Sequence, residues 1–255
     1  MSTVIAKEGG HWYDRKGNPA YTYLNKKGEE KPTTLRQARM LNFYPSVTTI
    51  MKVKAQPGLE IWKQNQILQA AATLPAIEGE STDDWCKRVI ADAGEHGKAA
   101  RDKGTAIHRS IERFFIGLPV TEYGKEVDKI VTLLSELNIA HIEAEKSFSH
   151  SSGYGGKIDF VGEDIAGNPV VIDFKTTDFK DKGKKHWPEM VIQLAAYAQG
   201  IGKTDARLIN VFISRNLADP EVDYYEWPAD EISKGHIQFK LLLALWQCEK
   251  GYVPE

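Results

Sequence analysis

The spacing of apolar residues changes along the chain, and each change predicts a different kind of element. Between residues 9 and 30, short apolar runs alternate with turn residues, which predicts short strands. Thr33 or Thr34 then caps a predicted short helix, and the β-branched run that follows ends near Pro57. We interpret residues 1–57 as an N-terminal extension of strands and helix that packs on the main domain.

Helical periodicity dominates the middle of the chain and returns near its end. Apolar residues recur three or four positions apart, and Val127, Ile130, Val131 and Leu134 fall on one face of such a pattern. The predicted helices cover residues 58–117 (with breaks near Pro75 and Gly94), 122–138, 188–200 and 229–250.

Extended, β-branched runs separate the later helices. The predicted strands cover residues 141–149, 155–163, 169–175 and 206–214. The first three follow one another through short turns, and a helix precedes the fourth. This order predicts a mixed α/β domain whose helices cover a central sheet, and residues 58–255 form that domain, continuous with the extension.

Composition and charge narrow the class of protein. The 255 residues are 42% hydrophobic and 27% charged, which is typical of a globular protein. Thirty-three basic and 35 acidic residues give a net charge of −2, so any surface for a polyanion must be a local basic patch. No run approaches the roughly 18 apolar residues of a membrane span. The N-terminus lacks the pattern of a signal peptide.

Two cysteines, Cys86 and Cys248, are too few for a disulfide framework, a four-thiolate zinc site or an iron–sulfur site. We therefore expect reduced thiols and an intracellular protein. It would act in the cytoplasm, or in an organelle or host cell if the gene is viral. Nothing in the sequence indicates an organic cofactor.

The segment VVIDFK places charged groups in an apolar strand. Asp173 and Lys175 project from one face, whereas Ile172 and Phe174 face the other way. Removing a carboxylate and an ammonium from water costs roughly several kcal/mol. A half-buried strand therefore carries both only where they have a structural or functional role. The pair is either a structural ion pair or part of an active site.

The preceding predicted strand contains a second carboxylate, Asp159. Antiparallel pairing across the intervening turn could bring Asp159 close to Asp173, where like charges repel unless a cation lies between them. Two carboxylates with neighbouring backbone carbonyls suit Mg²⁺ or Mn²⁺. Lys175 could then orient or help to deprotonate an attacking water and stabilise charge on a phosphate.

These residues resemble a known family. GGKID, VVIDFKTT and QLAAY, in this order, are similar to the D…DxK…QxxxY signature of RecB-like nucleases in the PD-(D/E)XK superfamily, and GTAIHRSIE resembles their upstream histidine motif. YPSVTTIM and Trp62 look like the mitochondrial genome maintenance exonuclease group and its phage relatives. The resemblance covers roughly residues 43–200. It implies a restriction-endonuclease-like core with a central mixed sheet flanked by helices.

The resemblance also implies roles for individual residues. Asp159, Asp173 and the backbone carbonyl of Phe174 would bind the metal, with His108 as a further ligand. Lys175 would be the catalytic lysine, and Gln193 and Tyr197 would position it. Glu145 matches a carboxylate of many members that reaches the site through water. Glu112 lies one helical turn after His108, where a solvated carboxylate is the simpler interpretation. The cysteines of the iron–sulfur branches are absent, so no such cluster is expected.

Two further segments are candidates for DNA contact. The run KDKGKKHW lies between the strand of Lys175 and the helix of Gln193, and it is either a solvated loop or a phosphate track with an aromatic residue for base stacking. By family analogy, residues of YPSVTT contact phosphate or bases, with buried structural roles as the alternative. The candidates are Lys180, Lys182, Lys184, Lys185 and Trp187 in the first segment, and Tyr44, Ser46 and Thr48 in the second.

The resulting hypothesis is a metal-dependent DNA exonuclease that acts on single-stranded or frayed ends in replication, recombination or repair. One alternative is a structure-specific or restriction-like endonuclease, since the sequence does not report whether the DNA channel is closed. Another is a non-catalytic nucleic-acid-binding subunit with a nuclease fold. The complete motif argues against the second alternative, because inactive relatives usually lose the Asp or the Lys.

Overall fold

The computed structural model describes residues 11–25, 27–55, 57–179 and 186–254, with the backbone alone for Pro57 and His96. The N-terminal strands and helices are β1 (Trp12–Tyr13), β2 (Thr22–Leu24), β3 (Glu30–Pro32), α1 (Leu35–Leu41), β4 (Tyr44–Pro45) and α2 (Val47–Met51). Two long helices, α3 (Pro57–Thr73) and α4 (Thr82–Phe115), are followed by α5 (Gly124–Glu136). The remaining elements are β5 (Ile139–His150), β6 (Tyr154–Asp164), β7 (Pro169–Thr177), α6 (Pro188–Gly200), β8 (Arg207–Ser214), β9 (Val222–Glu226) and α7 (Ala229–Lys250).

Strands β5 to β9 form one mixed sheet in chain order. Neighbouring strands are antiparallel except β7 and β8, which are parallel and are joined through α6. A parallel pair needs such a crossover because a tight turn can only reverse the chain. The crossover places α6 over the face of β7 that carries Asp173 and Lys175.

Helices cover both faces of this sheet, as the apolar pattern predicts. On one face Ile107 and Ile111 of α4 and Ile130 of α5 pack against strand residues such as Phe160 and Phe174. On the other face, α6 and α7 form a second core. Central strands buried on both sides read as nearly continuous apolar runs, which is why a charged residue such as Asp173 stands out in the sequence.

The N-terminal segment belongs to the core on the α6 and α7 side. Trp12, Val47 and Ile50 are buried there together with Tyr154 and Trp246. Thr34 caps α1 by accepting a hydrogen bond from the Gln37 amide, and Ser46 caps α2 by accepting one from the Thr49 amide. The β-branched run after Tyr44 thus forms a short helix, since its cap and burial outweigh the weak helix propensity of Val and Thr.

Three sequence expectations need correction. The helix break predicted near Gly94 is wrong, because α4 continues through it to Phe115. A glycine inside a helix costs only about 1 kcal/mol relative to alanine, which is too little to end a helix that packs along its length. Val131 of α5 lies outside the buried face and is 36% exposed. Strand β9 was not predicted, since its short VDYYE run pairs only along the edge of the sheet beside β8.

Among the described residues, no helix is both long enough and apolar enough to cross a lipid bilayer.

Candidate active site

The candidate site lies where strands β6 and β7 separate. Their antiparallel pairing extends only over Phe160–Glu163 and Pro169–Ile172, although both strands continue beyond it. Just past the last pair, the Asp159 carboxylate accepts a hydrogen bond of 2.9 Å from the Phe174 amide. A side chain therefore satisfies a backbone donor that the neighbouring strand leaves unpaired, and it holds Asp159 beside Asp173.

Asp173 is the most heavily hydrogen-bonded group of the site. The residue is 3% exposed, and both carboxylate oxygens are occupied. Lys175 Nζ lies 2.8 Å from Oδ1 and 2.7 Å from Oδ2, Gln193 Nε2 donates to Oδ1 at 3.0 Å, and Asn210 Nδ2 donates to Oδ2 at 2.7 Å. These donors offset the cost of burying the charge and fix the direction of the carboxylate.

Helix α6 contributes Gln193 and Tyr197, one turn apart on the face that covers β7. Gln193 Oε1 accepts from Lys175 Nζ at 3.3 Å, and Gln193 Nε2 donates to the Tyr197 hydroxyl at 3.0 Å. Gln193 thus contacts Lys175 directly and Tyr197 contacts Gln193, and the predicted role of the two residues in positioning Lys175 stays a prediction. Burial is the main cause that raises the pKa of Tyr197, so this phenol stays neutral.

Helix α4 brings His108 to the other side of Asp159. Its Nδ1 lies 3.8 Å from Asp159 Oδ2, and its ring meets Phe174 edge-on with a centroid distance of 6.5 Å. The close approach of α4 to β7 depends on Gly104, where an added Cβ would lie 2.6 Å from Thr176 Oγ1. Burial lowers the pKa of His108, so the imidazole is neutral near pH 7 and offers a lone pair.

The two remaining candidate carboxylates, Glu112 and Glu145, lie beside these groups, and both interact with the Lys157 ammonium. Lys157 Nζ contacts the Glu145 carboxylate and lies 3.8 Å from Glu112 Oε1. Glu145 has a positive φ of 55° within β5, a conformation that costs a non-glycine residue about 1 kcal/mol or more. Burial raises its pKa despite the contact with Lys157. Glu112 is half-buried in the same cleft rather than fully solvated.

The electrostatics of the site reflect two carboxylates in a desolvated space. Burial, and then the charge of Asp173, raise the pKa of Asp159 to about 8. Burial alone would lower the pKa of Lys175, but the charges of Asp173 and Asp159 outweigh it and the pKa is raised. Lys175 is therefore an ammonium at neutral pH, suited to donating hydrogen bonds. The site as it stands favours additional positive charge beside Asp159.

The residues fit a divalent cation in kind. The carboxylates of Asp159 and Asp173 and the neutral imidazole of His108 form a set of oxygen and nitrogen donors of the type that Mg²⁺ or Mn²⁺ accepts. The raised pKa of Asp159 indicates that a cation beside it would be favourable. Within the described residues, however, no three His, Cys, Asp or Glu side chains are close enough to form an assembled metal-binding group. Lys175 instead contacts the Asp173 oxygens that such an ion would use.

A cleft of 640 Å³ opens over Asp159, His108, Glu112 and Glu145. Three arginines that the sequence analysis did not single out also line it, namely Arg101, Arg109 and Arg215. Arg101 lies seven residues, or two turns, before His108 on α4, which was a usable signal, and Arg109 directly follows His108. Arg215 comes from the end of β8, and its guanidinium is bound to Asp178 at 2.7 Å. The cleft therefore combines carboxylates at its floor with guanidinium groups at its rim.

Asn210 is a further residue that sequence reasoning missed. It is fully buried on β8 directly opposite Asp173, and its Oδ1 accepts from Trp227 Nε1 at 2.8 Å while its Nδ2 donates to Asp173. An amide in the apolar run ARLINVFIS is a signal of the same kind as Asp173 in VVIDFK, because a buried polar side chain needs partners.

The residues predicted to contact DNA fall in different settings. Tyr44 and Ser46 are buried, and Ser46 caps α2, whereas Thr48 is exposed. Trp187 is 56% exposed at the start of α6. Lys180, Lys182, Lys184 and Lys185 lie outside the described residues. DNA contact by any of these residues stays a prediction.

No protein-family model and no curated protein matches the chain. Solved structures that it resembles include the alkaline exonuclease LHK-Exo from Laribacter hongkongensis, at 14% identity over 81% of this chain and 89% of that one, with a TM-score of 0.40. The same enzyme in complex with dAMP gives 16% identity, 81% and 87% coverage and a TM-score of 0.37. The protein SSO0001 gives 20% identity and a TM-score of 0.29, and the alignment covers 48% of this chain and only 57% of SSO0001. Likenesses with TM-scores this low do not establish a shared fold or activity.

Proposed function

We propose that this protein is a divalent-metal-dependent deoxyribonuclease, and specifically an exonuclease of the RecB-like, PD-(D/E)XK type. The observation that carries the proposal is the cluster of Asp159, Asp173 and Lys175 in one hydrogen-bonded network with Gln193. A structural ion pair would need only one carboxylate and one ammonium. The second carboxylate raises the energy of the metal-free site when it is ionised, and a cation bound there would remove this cost.

Asp159, Asp173 and the Phe174 carbonyl would hold the metal, with His108 as a nitrogen ligand. When bound, Mg²⁺ or Mn²⁺ lowers the pKa of a coordinated water and neutralises charge on a phosphate. The protein groups orient the reactants. Gln193 holds the Lys175 ammonium beside Asp173. From there the ammonium would donate hydrogen bonds to a scissile phosphate. Arg101, Arg109 and Arg215 would bind neighbouring phosphates at the rim of the cleft.

The proposed substrate is DNA with a single-stranded or frayed end, in replication, recombination or repair. The resemblance of the motifs to the mitochondrial genome maintenance exonuclease group and its phage relatives supports this choice. A structure-specific or restriction-like endonuclease would use the same chemistry, and digestion of circular DNA distinguishes it. A non-catalytic binding subunit is disfavoured by the retention of Asp159, Asp173 and Lys175 together.

The test is digestion of fluorescent DNA, linear and circular, single- and double-stranded, with Mg²⁺, Mn²⁺ or Ca²⁺ or with excess EDTA. We expect linear DNA to be degraded with Mg²⁺ and at least as well with Mn²⁺, because the His108 nitrogen suits Mn²⁺ better. Ca²⁺ should support little hydrolysis. Asp173→Asn and Lys175→Ala should abolish cleavage yet still bind DNA, since phosphate contacts elsewhere supply most of the affinity.

The matched control is Asp164→Asn, which changes a carboxylate on the same strand as Asp159 but in the turn away from the cleft. This variant should cleave like the parent. Cleavage that persists in EDTA, or in Asp173→Asn above a few per cent of the parent rate, would refute the proposed function.

A further inference from the structure

A second cleft lies beside the candidate site, between α3 and the start of α6. It has a volume of 610 Å³ and is lined by Gly58, Leu59, Trp62, Trp187, Pro188, Glu189 and Met190. We call it the tryptophan cleft. Trp62 is 46% exposed and Trp187 is 56% exposed, so two indoles offer aromatic surface to one solvent-filled space. Partly exposed tryptophans that line one concave surface are typical of a binding site rather than of a core.

Trp62 lies close to the neighbouring helix. An added Cβ at Gly97 of α4 would lie 3.6 Å from the outer edge of the Trp62 ring, an ordinary van der Waals distance, so this edge of the indole faces α4. One edge of the ring therefore lies beside α4, while the residue stays 46% exposed. A partly exposed aromatic ring with one edge beside a helix offers a planar ligand a surface that needs little ordering on binding.

Helix α6 connects the tryptophan cleft to the candidate active site. Met190 lines the cleft, and Gln193, three residues later, donates to Asp173. Three residues rise about 4.5 Å along a helix, so the two surfaces are one turn apart. This separation is comparable with the distance between a nucleotide's base and its phosphate.

Lysines line a groove that adjoins the tryptophan cleft at Leu59. This groove contains Lys52, Lys54 and Lys63. Lys54 pairs with Glu189 at 3.1 Å and Lys63 pairs with Glu60 at 2.8 Å. Both are surface pairs of the kind that contribute little to stability, so phosphates can replace these carboxylates. Aromatic rings next to ammonium groups are the composition of a single-strand binding track.

We infer that the tryptophan cleft binds an unpaired base of the DNA strand whose phosphate lies at the candidate active site. The inference rests on the proposed function and makes it more specific, because it assigns a binding site to the unpaired base of the proposed substrate. A base within a duplex cannot enter, since both of its faces are covered by neighbouring base pairs. Stacking on Trp62 and Trp187 tolerates any base, so the cleft selects for strandedness and not for sequence.

The experiment measures binding of fluorescein-labelled oligothymidylate by anisotropy in EDTA, where the proposed nuclease does not turn over. We expect Trp62→Leu and Trp187→Leu each to weaken binding about 10-fold, within the range of base–aromatic stacking. Trp62→Phe should restore most of the affinity. Leu68→Ala is the matched control, because Leu68 is an exposed apolar residue of α3 outside the cleft. Blunt duplex should bind all variants equally.

A second arm needs no variant of the protein. An oligonucleotide with a single abasic position, moved along the strand, should lose affinity for the parent at one position near the cleaved end. The same abasic strand should bind Trp62→Leu no more weakly than the intact strand does. If the Leu variants bind intact strand like the parent, or lose duplex affinity equally, the cleft inference is wrong and the nuclease proposal stands. A parent that binds no oligonucleotide overturns both.

Discussion

The buried side-chain amide of Asn210 links Asp173 of β7 to Trp227, which follows β9. Asn210 lies between Asp173 and Trp227, and all three side chains are buried. Because the amide is held at both ends, it fixes one oxygen of Asp173 without adding charge. In the proposed reaction Asn210 would therefore be a positioning residue that acts through Asp173 and touches neither metal nor substrate.

We expect Asn210→Leu to weaken Mn²⁺ binding and lower kcat by about 10-fold or more, as loss of a partner of a metal ligand typically does. The KM for DNA should stay close to that of the parent. Calorimetric titration with Mn²⁺ reads metal binding directly, and steady-state kinetics read the other two quantities. Trp227→Phe should give a smaller change in the same direction. A folded Asn210→Leu protein with the Mn²⁺ affinity of the parent would contradict this role.

The raised pKa of Asp159 has a consequence for stability without metal. Its folded-state pKa of about 8 exceeds the unfolded value, so between about pH 4 and pH 8 the unfolded chain loses a proton that the folded protein keeps. Stability should therefore fall as pH rises through this window. Asp159→Asn should be about as stable as the parent at about pH 4 and below, and more stable near pH 9. Thermal unfolding in EDTA at several pH values measures the difference, and equal pH profiles would contradict the assignment.

Most of this cluster could be predicted from the sequence, because Asp159, Asp173 and Lys175 are chemically conspicuous in apolar strands. The strand alternation alone placed Asp173 and Lys175 on one face, and the lengths of β6, β7 and their turn brought Asp159 alongside. Asn210 could not be assigned, because its contact with Asp173 depends on the parallel register of β7 and β8 across a crossover. No local pattern fixes a register between strands that are distant in the chain.

At the scale of elements, Gly94 and Gly104 of α4 differ in what surrounds them. Gly104 lies against Thr176 of β7, whereas nothing lies within 4 Å of a Cβ added at Gly94. Sequence reasoning took Gly94 as a break because it considered the backbone alone. The packing of α4 along the sheet and α3 decides the outcome, and no propensity scale contains that packing.

These glycines give a matched pair of substitutions. Gly94→Ala should stabilise the protein by about 0.5–1 kcal/mol, since it reduces the entropy of the unfolded chain without a clash. Gly104→Ala should push α4 away from β7, displace His108 and lower activity, by up to about 100-fold if the shift approaches 1 Å. Chemical denaturation and steady-state kinetics measure the two effects. Adding Thr176→Ala removes the clashing hydroxyl and should restore activity, and failure to do so would show that Gly104 acts otherwise.

At the scale of the whole molecule, the proposed binding of DNA would have to overcome a slightly negative net charge of −2. Attraction then depends on where the cations lie. Arg101, Arg109 and Arg215 surround the candidate site, and the four lysines between Thr177 and His186 are close to it in sequence. A locally basic face on a nearly neutral protein gives affinity that falls steeply with salt.

Neutralising Lys180, Lys182, Lys184 and Lys185 together should raise the KM for DNA and leave kcat nearly unchanged, the pattern of lost uniform binding. The slope of log affinity against log salt should become shallower, because fewer counterions are released. Binding measured at low and moderate salt for parent and quadruple variant tests this. Identical slopes and affinities would mean that the segment is only a solvated loop.

The α3–α4 hairpin has a core of its own, and this core is small. Ala70, Val89 and Ala93 are its buried apolar residues, and the contacts of α3 are mainly with α4. Of the described residues, only Ala71, Leu74 and Trp85 pack around them, so we expect α3 to separate from α4 at a lower free-energy cost than the helices that cover the sheet. If α3 separates from α4, Trp62 moves with α3, while Trp187 stays with α6. We therefore expect the space between the two indoles to widen with temperature and denaturant before the sheet unfolds.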